Sequence, residues 1–253
     1  GIPDLLPKFL PNDWKGPAVL LIMVFFISSF LDNIAAAMIG GSIALVVFNN
    51  RVHIGYIAAI VAASNAGGSG SIVGDTTTTM MWIDGVSAFN VLHAYVAAFV
   101  ALAIIAWFGA HQQDKYQKIV SDPKKGVKID YGRLLIVLMI LVGAILSNIY
   151  YDLPALGVWI AILLGALFRP IPWHEVSASI MGSIFLLCLV TAASLMPVET
   201  LPRASWVTAF ILGFVSAVFD NIPLTKLCLE QGHFDWGMLA YSVGFGGSMI
   251  WFG

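Results

Sequence analysis

One polar phrase occurs twice in this chain, each time inside a long apolar stretch. Phe30-Leu31-Asp32-Asn33-Ile34 interrupts residues 16–49, and Phe219-Asp220-Asn221-Ile222-Pro223 interrupts residues 204–231. A third carboxylate, Asp75, follows the glycine-rich run Asn65-Ala-Gly-Gly-Ser-Gly-Ser. The surroundings are those of a membrane: 59% of the 253 residues are hydrophobic and 10% are charged, which no soluble domain of this length needs. A carboxylate in hydrocarbon costs at least about 2.5–3.5 kcal/mol, so one found there serves a purpose. Its recurrence points to two related halves meeting at one polar site.

Other chemistries lack their residues. There is no basic patch with interleaved aromatics for nucleic acid. His53, His93, His111, His174 and His233 are scattered, and Cys188 and Cys228 fall in apolar stretches where packing is their expected role. No nucleophile–base set, metal-ligand spacing or cofactor loop is present, so neither an enzyme nor a resident cofactor is expected. The chain begins at Gly1 without Met, and the run Gly244-Phe-Gly-Gly-Ser-Met-Ile-Trp-Phe-Gly ends at Gly253 without a polar close. It reads as part of a longer transporter.

Segment lengths then give an organisation. A bilayer crossing takes about 20 helical residues. Residues 16–49 are too many for one crossing and too few for two, so a re-entrant helical hairpin with its tip at 31–34 is expected. Residues 52–83 read as a broken helix, because Asn65 to Ser71 cannot stay regular without cost. Residues 86–110 read as a span and complete a first repeat over 1–110. Residues 111–133 are the one long hydrophilic stretch and hold Lys115, Lys118, Lys124, Lys125, Lys128 and Arg133. A second repeat over 134–253 has spans at 134–150, 154–168 and 176–196, a hairpin at 204–231 and a truncated broken helix from 233. The fold class is an all-α polytopic membrane protein with hairpins and discontinuous helices.

Charge sets the orientation. Cytoplasmic loops are rich in Lys and Arg, which places 111–133 inside. Counting crossings then puts Arg169, Arg51 and Lys15 inside and Arg203 outside, provided 16–49 is a hairpin. The two hairpins open from opposite faces, which makes the halves an inverted repeat.

Asp32, Asn33, Asp220 and Asn221 offer hard oxygen ligands at the two tips, suited to a small hard cation. An Asp-Asn pair is also an ordinary helix cap, but its recurrence between apolar arms favours the site. Asp75 precedes Thr76-Thr-Thr-Thr and fits both an N-cap and a ligand, with Thr77 and Thr78 as candidate hydroxyls. Asn65 and Gly67-Gly68-Ser69 match Gly246-Gly247-Ser248 in position after each hairpin. Glycines in membrane helices more often serve close packing. Lys226 stands four residues before Glu230, and a neutralising pair is its plainest reading.

The strings Ser28-Ser-Phe-Leu-Asp-Asn-Ile, Asn65 to Thr79, Phe219-Asp-Asn-Ile-Pro-Leu-Thr and Gly244-Phe-Gly-Gly-Ser-Met resemble the ion transporter superfamily. Within it the match is nearest to the NhaD-type sodium/proton antiporters, with arsenite permeases and citrate or dicarboxylate carriers as cousins. The resemblance covers nearly the whole chain. It implies two inverted repeats, each with a re-entrant hairpin and a broken helix, commonly in a homodimer that moves in an elevator-like way. It carries over Asp32, Asn33, Asn65, Asp75, Thr77, Thr78, Asp220, Asn221 and, more weakly, Ser248 as site positions. The second broken helix is incomplete here.

The expected function is secondary active exchange of sodium (or lithium) for protons, in an integral membrane protein of a bacterial inner membrane. Burial disfavours a charged carboxylate and a bound cation restores it, so one site holds either a cation or protons. Asp32 and Asp220 would exchange the two, Asn33, Asn65, Thr77 and Thr78 would complete the oxygen shell, and half-helix ends would add carbonyls. Alternatives are an arsenite or carboxylate permease of the same superfamily and a non-transporting membrane subunit. Three aspartates repel an anionic solute and weigh against the carboxylate.

Overall fold

The computed structural model describes residues 10–120, 131–170, 173–195, 197 and 202–249. Residues 121–130 of the hydrophilic stretch, and 250–253 of the segment from 233, lie outside them. Among the described residues the regular elements are all helices. In order they are α1 (Lys15–Ser28), α2 (Asn33–Val47), α3 (Ile54–Gly68), α4 (Thr76–Ile83), α5 (Ala88–Leu92), α6 (Ala94–Tyr116), α7 (Tyr131–Tyr151), α8 (Pro154–Phe168), α9 (His174–Ser194), α10 (Trp206–Ser216), α11 (Asn221–Gln231) and α12 (Trp236–Gly246).

The breaks fall at capping residues. Asp32 accepts from Ile34 N at 3.1 Å and Ala35 N at 3.4 Å, and α2 starts there. Asp75 accepts from Thr77 N at 3.2 Å at the head of α4, and Asp220 from Ile222 N at 2.8 Å at the head of α11. Each carboxylate thus satisfies a free N–H at the first turn of its helix. Asn49 and Asn50, with φ of 52° and 61°, turn the chain from α2 into α3 through left-handed backbone that Asn tolerates.

The chain divides into two units: Gly1–Val127 with Val190–Gly253, and Lys128–Leu189. In the first, α1, α2, α3 and α6 close on a core around Leu21, Phe25, Phe48 and Tyr56. A second core, around Met81, Val91, Leu239 and Val243, gathers α4, α5, α10, α11 and α12. Tyr241 packs against both. In the second unit α7 and α8 meet at Gly143 and Gly157, where a Cβ on either residue would run into the other's carbonyl. Ser147 Oγ accepts from Gly157 N at 3.0 Å beside that crossing.

The outer surface is apolar, with Phe108, Leu135 and Phe168 all exposed. Residues 88–116 and Tyr131–Tyr151 are long and apolar enough to cross a bilayer. The first of these is two helices, broken at His93. It also runs to Tyr116, past the end expected at residue 110. Gln113 explains the extension. It is fully buried, accepts from His53 N at 2.8 Å and donates to the carbonyls of Arg51 and Gln117 at 3.1 Å each. A polar residue that reads as loop is here a tertiary clamp on the α2–α3 turn. Gln113→Leu orphans that N–H and two carbonyls. It should lower the melting temperature of purified protein by the equivalent of about 1–3 kcal/mol.

The same end is basic. Val120 N donates to Val47 O at 2.9 Å, and Ile119 packs where a Cβ on Gly16 would stand. The exposed Lys15, Arg51, Lys115 and Lys118 therefore share one end of this unit.

Candidate functional site

Helix α3 stops against α1. Gly67 lies on the Phe25 backbone, where any side chain would meet that carbonyl. Ser28 Oγ donates to Ser64 O at 2.6 Å and Ser29 Oγ to Gly67 O at 3.1 Å. Ser69 Oγ reaches Ala66 O at 2.8 Å, and Ser71 N reaches Gly68 O at 3.1 Å. These last carbonyls, which the sequence leaves for an ion, each already take a protein donor.

The second break is built from equivalent contacts. Gly246 lies on the Gly213 carbonyl, and Ser216 Oγ donates to Val243 O at 2.7 Å. One constant shift along the chain carries Phe25, Ser28 and Asp32 onto Gly213, Ser216 and Asp220. Another carries Ser64 and Gly67 onto Val243 and Gly246.

Helix α6 gives both breaks a common ruler. The start of α3 lies at its end, since Gly55 abuts Gln112, and Gly70 beyond the other end of α3 abuts Tyr95. The start of α12 lies at the opposite end, since Gly237 abuts Asn90, His93 and Ala94. The two helices therefore approach each other from opposite ends of α6, and their C-terminal turns meet. Asn65 falls between the Ala59–Gly109 and Gly70–Tyr95 contacts, level with the middle of α6.

A chain of amides joins them there. Asn33 Nδ2 donates to Asn65 Oδ1 at 2.8 Å, and Asn65 Nδ2 donates to Ser248 Oγ at 2.9 Å. The head of α2, the last turns of α3 and the loop after α12 are thereby linked, the second bond joining residues 183 positions apart. Asn33 Oδ1 also accepts from Ile34 N at 2.9 Å. Asp32 lies near enough to Asp75 for their charges to interact.

Asp75 is the most enclosed carboxylate of the three, 2% exposed. Its Oδ1 accepts from Thr76 Oγ1 and Thr77 N at 3.2 Å each. Its Oδ2 has no partner, nor has the buried Thr77 hydroxyl. Buried polar atoms are almost always satisfied, so two orphans in neighbouring residues mark a place for something else. Thr78 is different: its hydroxyl donates to Ser71 O at 2.6 Å and Asp75 O at 2.9 Å, which ties the glycine loop to α4.

The structure thus brings Asn33, Asn65 and Ser248 together, with Asp32 within electrostatic range of Asp75. Asp220 stands apart: it is exposed, and among the described residues no hydrogen bond ties Asp220 or Asn221 to the amide chain. The Asn221 carbonyl accepts from Thr225 Oγ1 at 2.8 Å. Lys226 Nζ pairs with Glu230 at 3.2 Å, as their spacing suggests. Ser28, Ser216 and Gly244 are the positions that sequence reasoning missed. The first two sit four residues before each Asp-Asn pair, the signal that would have found them.

Residues 4–246 match the family of citrate transporters, CitMHS. Sodium/proton antiporter 2 of Arabidopsis thaliana is 27% identical over 285 aligned positions, which cover 93% of this chain and 67% of that protein. Sodium/proton antiporter 1 of the same plant is 27% identical over 283 positions, covering 93% of this chain and 49% of that protein. The chain thus spans between half and two thirds of these relatives' length. With its outward apolar helices and a family match over nearly its whole length, this integral membrane protein belongs to the CitMHS citrate transporter family of the ion transporter superfamily.

Proposed function

We propose that this protein exchanges sodium or lithium for protons across a membrane, in the manner of an NhaD-type antiporter, through two inversely oriented repeats. The observation that carries the reading is the Asn33–Asn65–Ser248 chain, which links one tip and both breaks beside Asp32 and Asp75. The equivalent serine and glycine contacts at the two breaks, and the opposed runs of α3 and α12 along α6, support related halves of opposite orientation. The gathering of Lys15, Arg51, Lys115 and Lys118 at one end supports a cytoplasmic 111–133 loop. Asp32 and Asp75 supply charge at the meeting point. Asn33, Asn65, Thr77 and Ser248 supply neutral oxygens, and Thr78 holds the loop. Asp220 and Asn221 head the corresponding helix of the other half and act there when the second tip closes.

The test is proton movement by the full-length protein in proteoliposomes, with a pH-sensitive dye and a panel of Na⁺, Li⁺ and K⁺. Na⁺ or Li⁺ dissipates a preset pH gradient in wild type, and Asp32→Asn or Asp220→Asn removes the effect. Full exchange by both variants rejects the assignment of these carboxylates.

The family match favours a second reading, carriage of citrate. A citrate carrier moves labelled citrate and shows no cation-driven proton movement without it. The nearby acidic pair Asp32 and Asp75 would repel a tricarboxylate unless cations bound first.

A further inference from the structure

The unpartnered oxygen of Asp75 has a particular neighbour. A Cβ built on Gly244 would stand 2.6 Å from Asp75 Oδ2 and 3.7 Å from Ser69 Cβ. Real Cβ atoms do not approach an oxygen so closely, so the bare Cα of Gly244 is what lets α12 close on this carboxylate. The turn of α12 that carries Gly244 is itself held, because Ser216 Oγ bonds the carbonyl of the preceding residue, Val243, at 2.7 Å. The carboxylate is thus walled by α12, and α12 is held by Ser216 at the end of α10. The wall offers Asp75 Oδ2 no donor, and the buried Thr77 hydroxyl two residues on is also without a partner.

We infer that Gly244 is a positioning residue of the cation site: it sets how closely α12 closes over Asp75 Oδ2, and so encloses the small monovalent cation that oxygen takes. This rests on the exchange reading and adds to it the residue that couples the halves at the carboxylate. A side chain at 244 pushes α12 or the carboxylate aside by several tenths of an ångström, which loosens the enclosure without removing a ligand.

Two measurements on full-length protein test this. In proteoliposomes, Gly244→Ala raises the Na⁺ concentration for half-maximal proton movement about tenfold with a smaller loss of maximal rate. Gly237→Ala, two turns earlier on the same face of α12 and packed on His93 and Asn90, changes it less than about twofold. Equal effects of the two, or no effect of Gly244→Ala, overturn the inference. Independently, with exposed Cys188 replaced by Ser, Asp75→Cys reacts slowly with a charged methanethiosulfonate reagent, and adding Gly244→Ala speeds the reaction about tenfold. Unchanged labelling overturns the wall role even where transport falls. If labelling accelerates while wild type shows no cation-driven proton movement, the wall stands and the exchange reading fails.

Discussion

Asp75→Asn leaves the start of α4 intact and reduces cation-driven proton movement to the level of empty liposomes. The two halves of this expectation separate the cap from the ligand. Asn is as good an N-cap as Asp and nearly the same shape, so the bond from Thr77 N survives in the variant. What disappears is the charge on an atom pair that is 2% exposed and only half-satisfied. Losing a charged ligand from an enclosed cation costs about 3 kcal/mol or more, which is at least about a hundredfold in affinity. Asp75→Ala reverses the pattern in stability: it loses the cap as well, for a further cost of about 1 kcal/mol. A melting curve in detergent and a dye-based flux assay on the same preparations check both. If Asp75→Asn exchanges Na⁺ for protons at the wild-type rate, Asp75 is a helix cap and nothing more.

Much of this site was legible because chain breaks have local causes. Asp32, Asp75 and Asp220 each precede residues able to begin a helix, and each proves to be the N-cap of one. Asn65 and Ser248 were legible as separate candidates because each lies in a glycine-rich break that follows an Asp-Asn phrase, and that they bond to each other was not legible. What pattern cannot give is which atoms face each other once the helices pack. Gly244 looks like one more small residue in an apolar helix, and its role exists only because Asp75, 169 positions earlier in the chain, lies beneath it. Gln113 misled for the same reason: its amide is polar, but three partners at the α2–α3 turn and the end of α6 bury it inside the fold. The carbonyls at the end of α3 were read as free because the serines that bond them come from α1 and from the loop beyond. Asp220 matches Asp32 in sequence and in capping, yet it is exposed and stands outside the amide chain, a difference between the two Asp-Asn phrases that no local string encodes.

The glycines give the second large effect. Gly67→Ala destabilises the protein by about 1–3 kcal/mol or more, because the added methyl meets backbone that has no room to move. The Phe25 carbonyl carbon and Cα lie 2.8 and 2.9 Å from the Cβ position, with the carbonyl oxygen nearer still. Separating α1 from α3 to admit the methyl also lengthens the bonds from Ser28 to Ser64 O and from Ser29 to Gly67 O. It moves Asn65, two residues before the clash, away from Asn33 and Ser248. Gly41→Ala is the matched control. It lies in α2 with nothing within 4 Å of its Cβ position, so only helix propensity acts, and the variant gains up to about 1 kcal/mol. Gly246→Ala should fall with Gly67→Ala, because its methyl meets the Gly213 carbonyl in the same way. Melting temperatures of the three purified variants order them directly. Half-saturation for Na⁺ then rises in the two destabilised variants and stays at the wild-type value in Gly41→Ala, since only the first two displace a residue next to the amide chain.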